Sequence, residues 1–119
     1  MMNTDRPYDL EERTFLFAKE VALFCKRLPK NVENIEYIKQ VIRSSGSVGA
    51  NYIEANESLG EKDFSLRLKI SRKEAKESMY WLRLICETNN TQFAGSGTVL
   101  VNEANELRKI LSTIINKAK

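Results

Sequence analysis

Residues 61–87 read EKDFSLRLKISRKEAKESMYWLRLICE, and this stretch decides the fold. Its apolar and small residues recur at alternating steps of four and three, which places them on one side of a single long α-helix. They are Phe64, Leu68, Ser71, Ala75, Ser78, Leu82 and Ile85. The pattern predicts a helix over 61–88 that packs this side against the rest of the chain.

A second side of the same predicted helix is basic. At about 100° per residue, its cationic residues and one tyrosine fall within an arc of about 120°, well away from the apolar stripe. This set, called the basic face below, consists of Lys62, Lys69, Arg72, Lys73, Lys76, Tyr80 and Arg83. It either contacts nucleic-acid phosphates, with the tyrosine stacking on a base, or is only a solvated surface. For one isolated stripe the second interpretation is the more common.

Three more helices are predicted from stripes of the same kind, over about 9–28, 34–59 and 98–118. The first stripe contains Leu10, Thr14, Phe17, Val21, Phe24 and Leu28. The second contains Ile35, Ile38, Ile42, Ser45, Gly49, Tyr52, Asn56 and Leu59, and the last contains Leu100, Ala104, Leu107, Leu111, Ile114 and Ala118. Four helices with short links predict an all-α, antiparallel up-down-up-down four-helix bundle that forms a single domain over 1–119.

Glycines raise two questions about the second helix. The run SSGSVG, residues 44–49, is either a loop between two shorter helices or part of one continuous helix. Because the three-four step continues through it, we expect the continuous helix. Gly60 is expected at the C′ position after this helix. Gly49 and Ser71 are equally far from Gly60. We therefore expect the axes of the second and third helices to approach closely there, or a bulky side chain from another helix to fill the space between them.

Composition limits the class of protein. The chain has 119 residues, of which 42% are hydrophobic and 29% charged, as in a folded domain. Its net charge of +3 is too small to establish a nucleic-acid partner on its own. The sequence has neither a long uncharged apolar run nor a signal-peptide core, so we expect no membrane partner and a cytoplasmic location.

Nothing in the sequence indicates catalysis or a cofactor. The chain lacks histidine, the commonest general base and metal ligand, and it has no zinc, calcium, dinucleotide or phosphate-loop pattern. Cys25 and Cys86 make no CxxC pair and are interpreted as reduced core residues. We therefore expect a non-enzymatic protein with no metal and no cofactor.

Two further groups of residues stand out. Arg43, Ser47, Asn51 and Glu54 form a polar line on the second helix, which is either exposed to solvent or bonded across a subunit interface. Trp81, the only tryptophan, lies on the same flank of the third helix as Glu74 and Glu77. It either widens the core or anchors a subunit contact.

Two motifs resemble those of a known family. The first is IRSSGSVGANYIEANES, with its arginine, serine, asparagine and glutamate at Arg43, Ser47, Asn51 and Glu54. The second is FSLRLKISRKEAKESMYWLRL, with Ser71, Glu74, Glu77, Trp81 and Leu82. They resemble the four-helix-bundle proteins encoded in intervening sequences of bacterial 23S rRNA genes, and the accessory protein of diversity-generating retroelements is similar. Ala55 stands where that family has glycine.

The resemblance implies a four-helix protomer that assembles as a ring, typically a homopentamer, with a basic surface suited to nucleic acid and no known enzymatic activity. Together with the basic face, it leads us to expect an oligomeric protein that binds RNA or DNA. The alternative is a protein-interaction scaffold or an accessory factor for a neighbouring gene product such as a reverse transcriptase.

Overall fold

The chain folds into four long α-helices. A computed structural model describes residues 7–117, with side chains from Leu10 onward. The helices are α1 (Pro7–Lys26), α2 (Val32–Asn56), α3 (Glu61–Thr88) and α4 (Ala94–Lys117), and the 3-10 turn Thr91–Phe93 leads into α4. Residues 7–117 contain no strand, so the all-α prediction is confirmed, and α2 runs unbroken through 44–49 as expected.

Helices α1 and α2 pack side by side in opposite directions. Near one end of the bundle, Asn56 Nδ2 donates to Glu11 Oε2 at 2.8 Å. Thr14, one turn after Glu11 in α1, lies directly against Gly49, which is two turns before Asn56 in α2. Positions that advance along one helix and recede along the other are those of antiparallel neighbours. Gly49 is buried, as predicted, and the space beside it is filled by Thr14.

Helices α2 and α3 meet through small, fully buried residues. The hydroxyls of Ser44 and Ser78 lie 2.8 Å apart, and Ser71 Oγ donates to the carbonyl oxygen of Val48 at 2.6 Å. These contacts, called the serine seam below, lie at the level where the sequence predicts a close approach of the two axes. Side chains this short bring one helix close enough for its hydroxyls to bond a hydroxyl or a backbone carbonyl of the other directly.

The remaining faces close the bundle around one apolar core. The Arg13 guanidinium donates to both carboxylate oxygens of Glu103, at 2.7 and 2.9 Å, which ties α1 to α4. Gly97 of α4 packs against the sulfur of Cys86 on α3 and the ring of Phe24 on α1. The largest fully buried apolar side chains are Leu10, Val21, Val41, Val48, Tyr52, Leu68, Leu82, Ile85, Leu107 and Leu111.

The two thiols differ in environment. Cys25 is buried, and burial raises the pKa of its thiol to about 11. Cys86 is only partly buried, and its thiol pKa is also raised, mainly by burial and further by the nearby Glu87 carboxylate. Both are free, and at neutral pH both favour the protonated form, which is less nucleophilic than a thiolate.

Several predicted helix ends are wrong. Helix α1 begins two residues before residue 9 and ends at Lys26, and α2 spans Val32–Asn56 because Asn31 caps it through a bond to the Asn34 amide nitrogen. Gly60 is the N-cap of α3 in an extended conformation, with φ −155°, and is no left-handed C′ residue. Helix α4 begins four residues earlier than predicted because the 3-10 turn runs directly into it. The predicted end at residue 118 lies outside the described residues.

The predicted inward stripe of α2 is correct in its middle and wrong at both ends. Ser45, Gly49 and Tyr52 are buried, but Ile35 and Ile42 are 45% and 42% exposed. Asn56 and Leu59 are exposed as well. The buried positions also include Asn34, Val41, Ser44 and Val48, each of which lies one residue before a predicted position. At the start of the helix the physical reason is that Asn34 exchanges two amide hydrogen bonds with Asn89, at 2.8 and 2.9 Å, which compensate the burial of its polar side chain.

Two glycines in the middle of α2 provide a matched test of packing. A Cβ atom at Gly49 would lie 2.8 Å from the buried Thr14 Oγ1, whereas one at Gly46 would meet nothing within 4 Å. We therefore expect Gly46→Ala to raise the free energy of unfolding by about 0.5–1 kcal/mol through helix propensity. Gly49→Ala should lower it by about 1 kcal/mol, because overpacking outweighs that gain. Urea unfolding monitored by circular dichroism measures both, and a stabilising Gly49→Ala would contradict the packing of α1 on α2.

Candidate nucleic-acid interface

The basic face lies on the outer side of α3, away from the core. Its lysines, Tyr80 and Arg83 are exposed, and Arg72 is half-buried. The opposite side carries the stripe predicted to be buried, including Leu68, Ala75 and Leu82 at 0% exposure. The orientation predicted from helical spacing is therefore confirmed.

Helix α4 adds to this face in a way the sequence analysis missed. Arg108 and Ser112 of α4 lie beside α3 and close one side of a shallow depression of about 380 Å³. The depression, called the cationic groove below, is lined by Lys69, Arg72, Lys73, Lys76, Arg108 and Ser112. Arg72 Nη1 donates to Ser112 Oγ at 3.3 Å, which links the two walls. Arg108 is oriented by two bonds to Asn105 Oδ1, at 3.1 and 2.8 Å.

The cations of the groove have no acidic partners among the described side chains. Among the side chains described from residue 10 to 117, no carboxylate oxygen lies within 4.0 Å of their charged nitrogens. Some other cations of the two helices differ, since Arg67 pairs with Asp63 at 3.6 Å and Arg83 with Glu87 at 3.8 Å in α3. In α4, Lys109 pairs with Glu106 at 3.6 Å. Five like charges around one depression therefore create a local positive potential much larger than the net charge of +3 indicates.

A cluster on the other flank of α3 unites residues from both sequence motifs. Arg43 of α2 donates to Glu74 Oε2 at 3.3 Å and to Glu77 Oε2, and Trp81 Nε1 donates to the same Glu77 oxygen at 3.2 Å. The pKa of Arg43 is raised, and the largest cause is its hydrogen bond to Glu74. These four residues, called the motif cluster below, cross-link α2 and α3 within one protomer.

Burial makes Glu74 the most constrained member of the cluster. The residue is 7% exposed, and its Oε1 has no hydrogen-bond partner among the described residues. The Arg43 guanidinium is therefore the only cation within 4.0 Å of this buried carboxylate in residues 10–117. Arg43 and Glu77 each lie seventeen residues from Gly60, as Gly49 and Ser71 each lie eleven from it. Counting outward from this turn would therefore have paired Arg43 with Glu77 and predicted the cluster.

The four residues of the predicted polar line on α2 lie in different environments. Arg43 joins the motif cluster, whereas Asn51 Nδ2 donates to the backbone oxygen of Ser47 at 3.0 Å within its own helix. Glu54 is exposed, and Ser47 and Asn51 are half-buried. The arginine thus finds its partners inside the protomer, and a subunit contact by the other three residues stays a prediction.

Trp81 packs against the core and also supports the basic face. The half-buried indole lies against the apolar core, as the core-widening interpretation predicts. Its ring centroid is 5.0 Å from that of Tyr80 in an edge-to-face arrangement at 81°, and 6.0 Å from that of Tyr37. Tyr80 is 58% exposed. An aromatic side chain on the basic face is therefore held in place by a ring that is anchored in the core.

These features define the protein as a small four-helix bundle with a two-helix cationic groove and an arginine–carboxylate cluster around the buried Glu74. The chain belongs to the 23S rRNA-intervening sequence protein family, whose model matches residues 8–113. It is also similar to the crystal structure of a protein with unknown function from the S23 ribosomal protein family of Bacteroides thetaiotaomicron VPI-5482. That chain is 30% identical, with a TM-score of 0.79, and the match covers 92% of this chain and 97% of that one. None of the curated proteins compared with the chain matches it.

Neither a membrane span nor a metal site is found in the part of the chain that the structure describes. No helix within 7–117 has the length and apolar character needed to cross a membrane. No three acidic, cysteine or histidine side chains in that part of the chain are grouped so that they could hold a metal ion.

Proposed function

We propose that this chain is a non-enzymatic cytoplasmic protein that binds RNA or DNA by contacting phosphates in the cationic groove. The observation that carries the proposal is that five cations line one depression without a neighbouring carboxylate. Each lysine or arginine that contacts a phosphate releases condensed counterions from the strand, and this release drives binding. Neither sequence motif specifies a base, so the expected binding depends mainly on the backbone.

The composition of the groove supports binding without chemistry. Its lining offers cations and one hydroxyl, on Ser112, which already accepts a bond from Arg72. It offers no carboxylate, thiol or imidazole that could act as a general base or a nucleophile. A surface of this kind holds a polyanion in place, which is the role proposed here.

An apolar flank on the α1–α2 side of the bundle supports a second part of the proposal, self-association. Ile42 and Ile53 lie seven residues before and four after Gly49, so they share the flank of α2 that faces α1. Phe15 lies four residues after Glu11, on the flank of α1 that faces α2. All three are exposed, by 42%, 45% and 62%. Apolar side chains gathered along one seam are typical of a protein contact surface.

In this proposal the flank joins copies of the chain into a homo-oligomer, with the pentamer favoured by the family resemblance. A ring would repeat the cationic groove, so one strand could occupy several grooves, and affinity would rise by avidity without any new contact. The second candidate function is a scaffold in which the same flank binds another protein, such as a reverse transcriptase encoded nearby. Light scattering of the pure protein separates the two, because a monomer at high concentration would remove the ring and favour the scaffold.

The test of nucleic-acid binding is a salt series. We expect fluorescently labelled RNA and DNA strands to bind, with log K falling linearly against log salt concentration and a slope of about −3 to −4 if each groove contacts four or five phosphates. Fluorescence anisotropy measures the slope, and light scattering with and without the strand gives the stoichiometry. Binding that is indifferent to salt, or no binding at low salt, would contradict the proposal.

A further inference from the structure

A second, smaller depression lies further along α3 than the cationic groove. It has a volume of about 150 Å³ and is lined by Tyr80, Arg83, Leu84 and Glu87. Tyr80 follows Lys76 by four residues, so the two side chains lie on the same side of α3, about 6 Å apart along the helix axis. A strand that leaves the groove along α3 would reach this depression next.

The chemistry of the two depressions differs. The groove carries five cations, whereas the smaller depression combines an aromatic ring and an aliphatic side chain with Arg83 and Glu87, which neutralise each other at 3.8 Å. Glu87 would repel a phosphate placed there. An uncharged, flat, partly apolar group such as a nucleobase suits this lining better.

Tyr80 is fixed in a way that favours stacking. Its ring packs edge-to-face with that of Trp81. The Trp81 indole donates a hydrogen bond to Glu77, which in turn accepts one from Arg43 of the neighbouring helix. The exposed ring therefore loses little conformational freedom when a base stacks on it. The motif cluster thus positions the exposed Tyr80 ring, besides cross-linking α2 and α3.

We propose that the protein binds single-stranded rather than duplex nucleic acid, with phosphates in the cationic groove and an unpaired base stacked on Tyr80. The inference rests on the proposed function and adds the class of strand to it. In a duplex both faces of every internal base are covered by neighbouring bases, so a protein ring can stack only on a base that is unstacked. Phosphate contacts alone would not make this distinction.

The test compares three ligands at one salt concentration. They are a single-stranded RNA, the same strand annealed to its complement, and an abasic phosphodiester strand of equal length. We expect the wild-type protein to bind the single strand about tenfold more tightly than the other two. Tyr80→Ala should abolish this difference while leaving the salt slope unchanged, and Tyr80→Phe, which keeps the ring, should preserve it.

Trp81 supplies an independent readout. It is the only tryptophan of the chain, and its ring lies 5.0 Å from Tyr80, so stacking on Tyr80 should change its emission. We expect this change with the single strand and not with the abasic strand. Equal affinity for single strand and duplex, or a Tyr80→Ala variant that binds the single strand like the wild type, would overturn the inference and leave the proposed function standing. Absence of salt-dependent binding to any strand would contradict the proposed function itself.

Discussion

Replacing Lys69, Lys73 and Lys76 together by glutamate should lower the affinity for a nucleic-acid strand at least about 100-fold near 0.1 M salt. All three are exposed and line the cationic groove. The variant removes three phosphate contacts and adds three charges that repel the strand. The salt slope should become shallower by about 2 to 3, since each lost contact reduces it by about 0.7 to 1. Anisotropy titrations across a salt series measure both quantities.

The control for this variant carries the same charge change elsewhere. Lys19, Lys26 and Lys39 are exposed on α1 and α2, and replacing them by glutamate also takes the net charge from +3 to −3. We expect this second variant to weaken binding only a few-fold, through the long-range field. If both variants lost affinity equally, binding would depend on net charge, and the groove would have no special role. Circular dichroism confirms that both variants remain helical.

Arg43→Ala should lower the free energy of unfolding by about 2 kcal/mol. The variant removes the guanidinium from a Glu74 side chain that is only 9% exposed, so a carboxylate stays desolvated without its counter-charge. A fully buried pair would cost more to break, but the Arg43 side chain is 51% exposed and its field is partly screened by water. The loss appears in urea unfolding as a lower midpoint at unchanged slope.

Two further variants define what Arg43→Ala measures. Arg13→Ala breaks a bidentate pair but leaves behind Glu103, whose side chain is 29% exposed and can be hydrated, so we expect it to cost about 1 kcal/mol. Adding Glu74→Gln to Arg43→Ala should recover part of the loss, because a neutral amide is less costly to bury than a carboxylate. An Arg43→Ala effect no larger than that of Arg13→Ala would show that the motif cluster contributes little to stability.

Burial was predicted best for α1 and α3. The stripe of α1 from Leu10 to Leu28 is buried throughout, and α3 has the predicted bounds, 61–88. In these helices the residues that are buried are the apolar ones that recur with the helical period, so periodicity alone is sufficient to predict them. In the first half of α2 they disagree, because Asn34 is buried by its bonds to Asn89, while Ile35 stays exposed. A partner 55 residues away leaves no local signal in the sequence.

The candidate site was predicted in part for the same reason. The orientation of Lys69, Lys73 and Lys76 depends only on the geometry of α3, so helical spacing was enough to predict it. The contribution of Arg108 depends on how α4 is rotated against α3, and that rotation is set by contacts such as Gly97 on Cys86. Side-chain pairs between helices can be assigned from sequence only where a short turn fixes the register, as it does around Gly60.

The serine seam fixes how α3 is turned about its own axis. A core made of hydrocarbon tolerates small rotations of a helix, because dispersion contacts have no preferred direction. The hydroxyls of Ser44, Ser71 and Ser78 are fully buried, so a rotation of α3 would break directional bonds where no solvent can replace them. The outward aim of the lysines is therefore set from inside the molecule. The number and identity of these lysines can change during evolution without changing the direction in which this side of α3 faces.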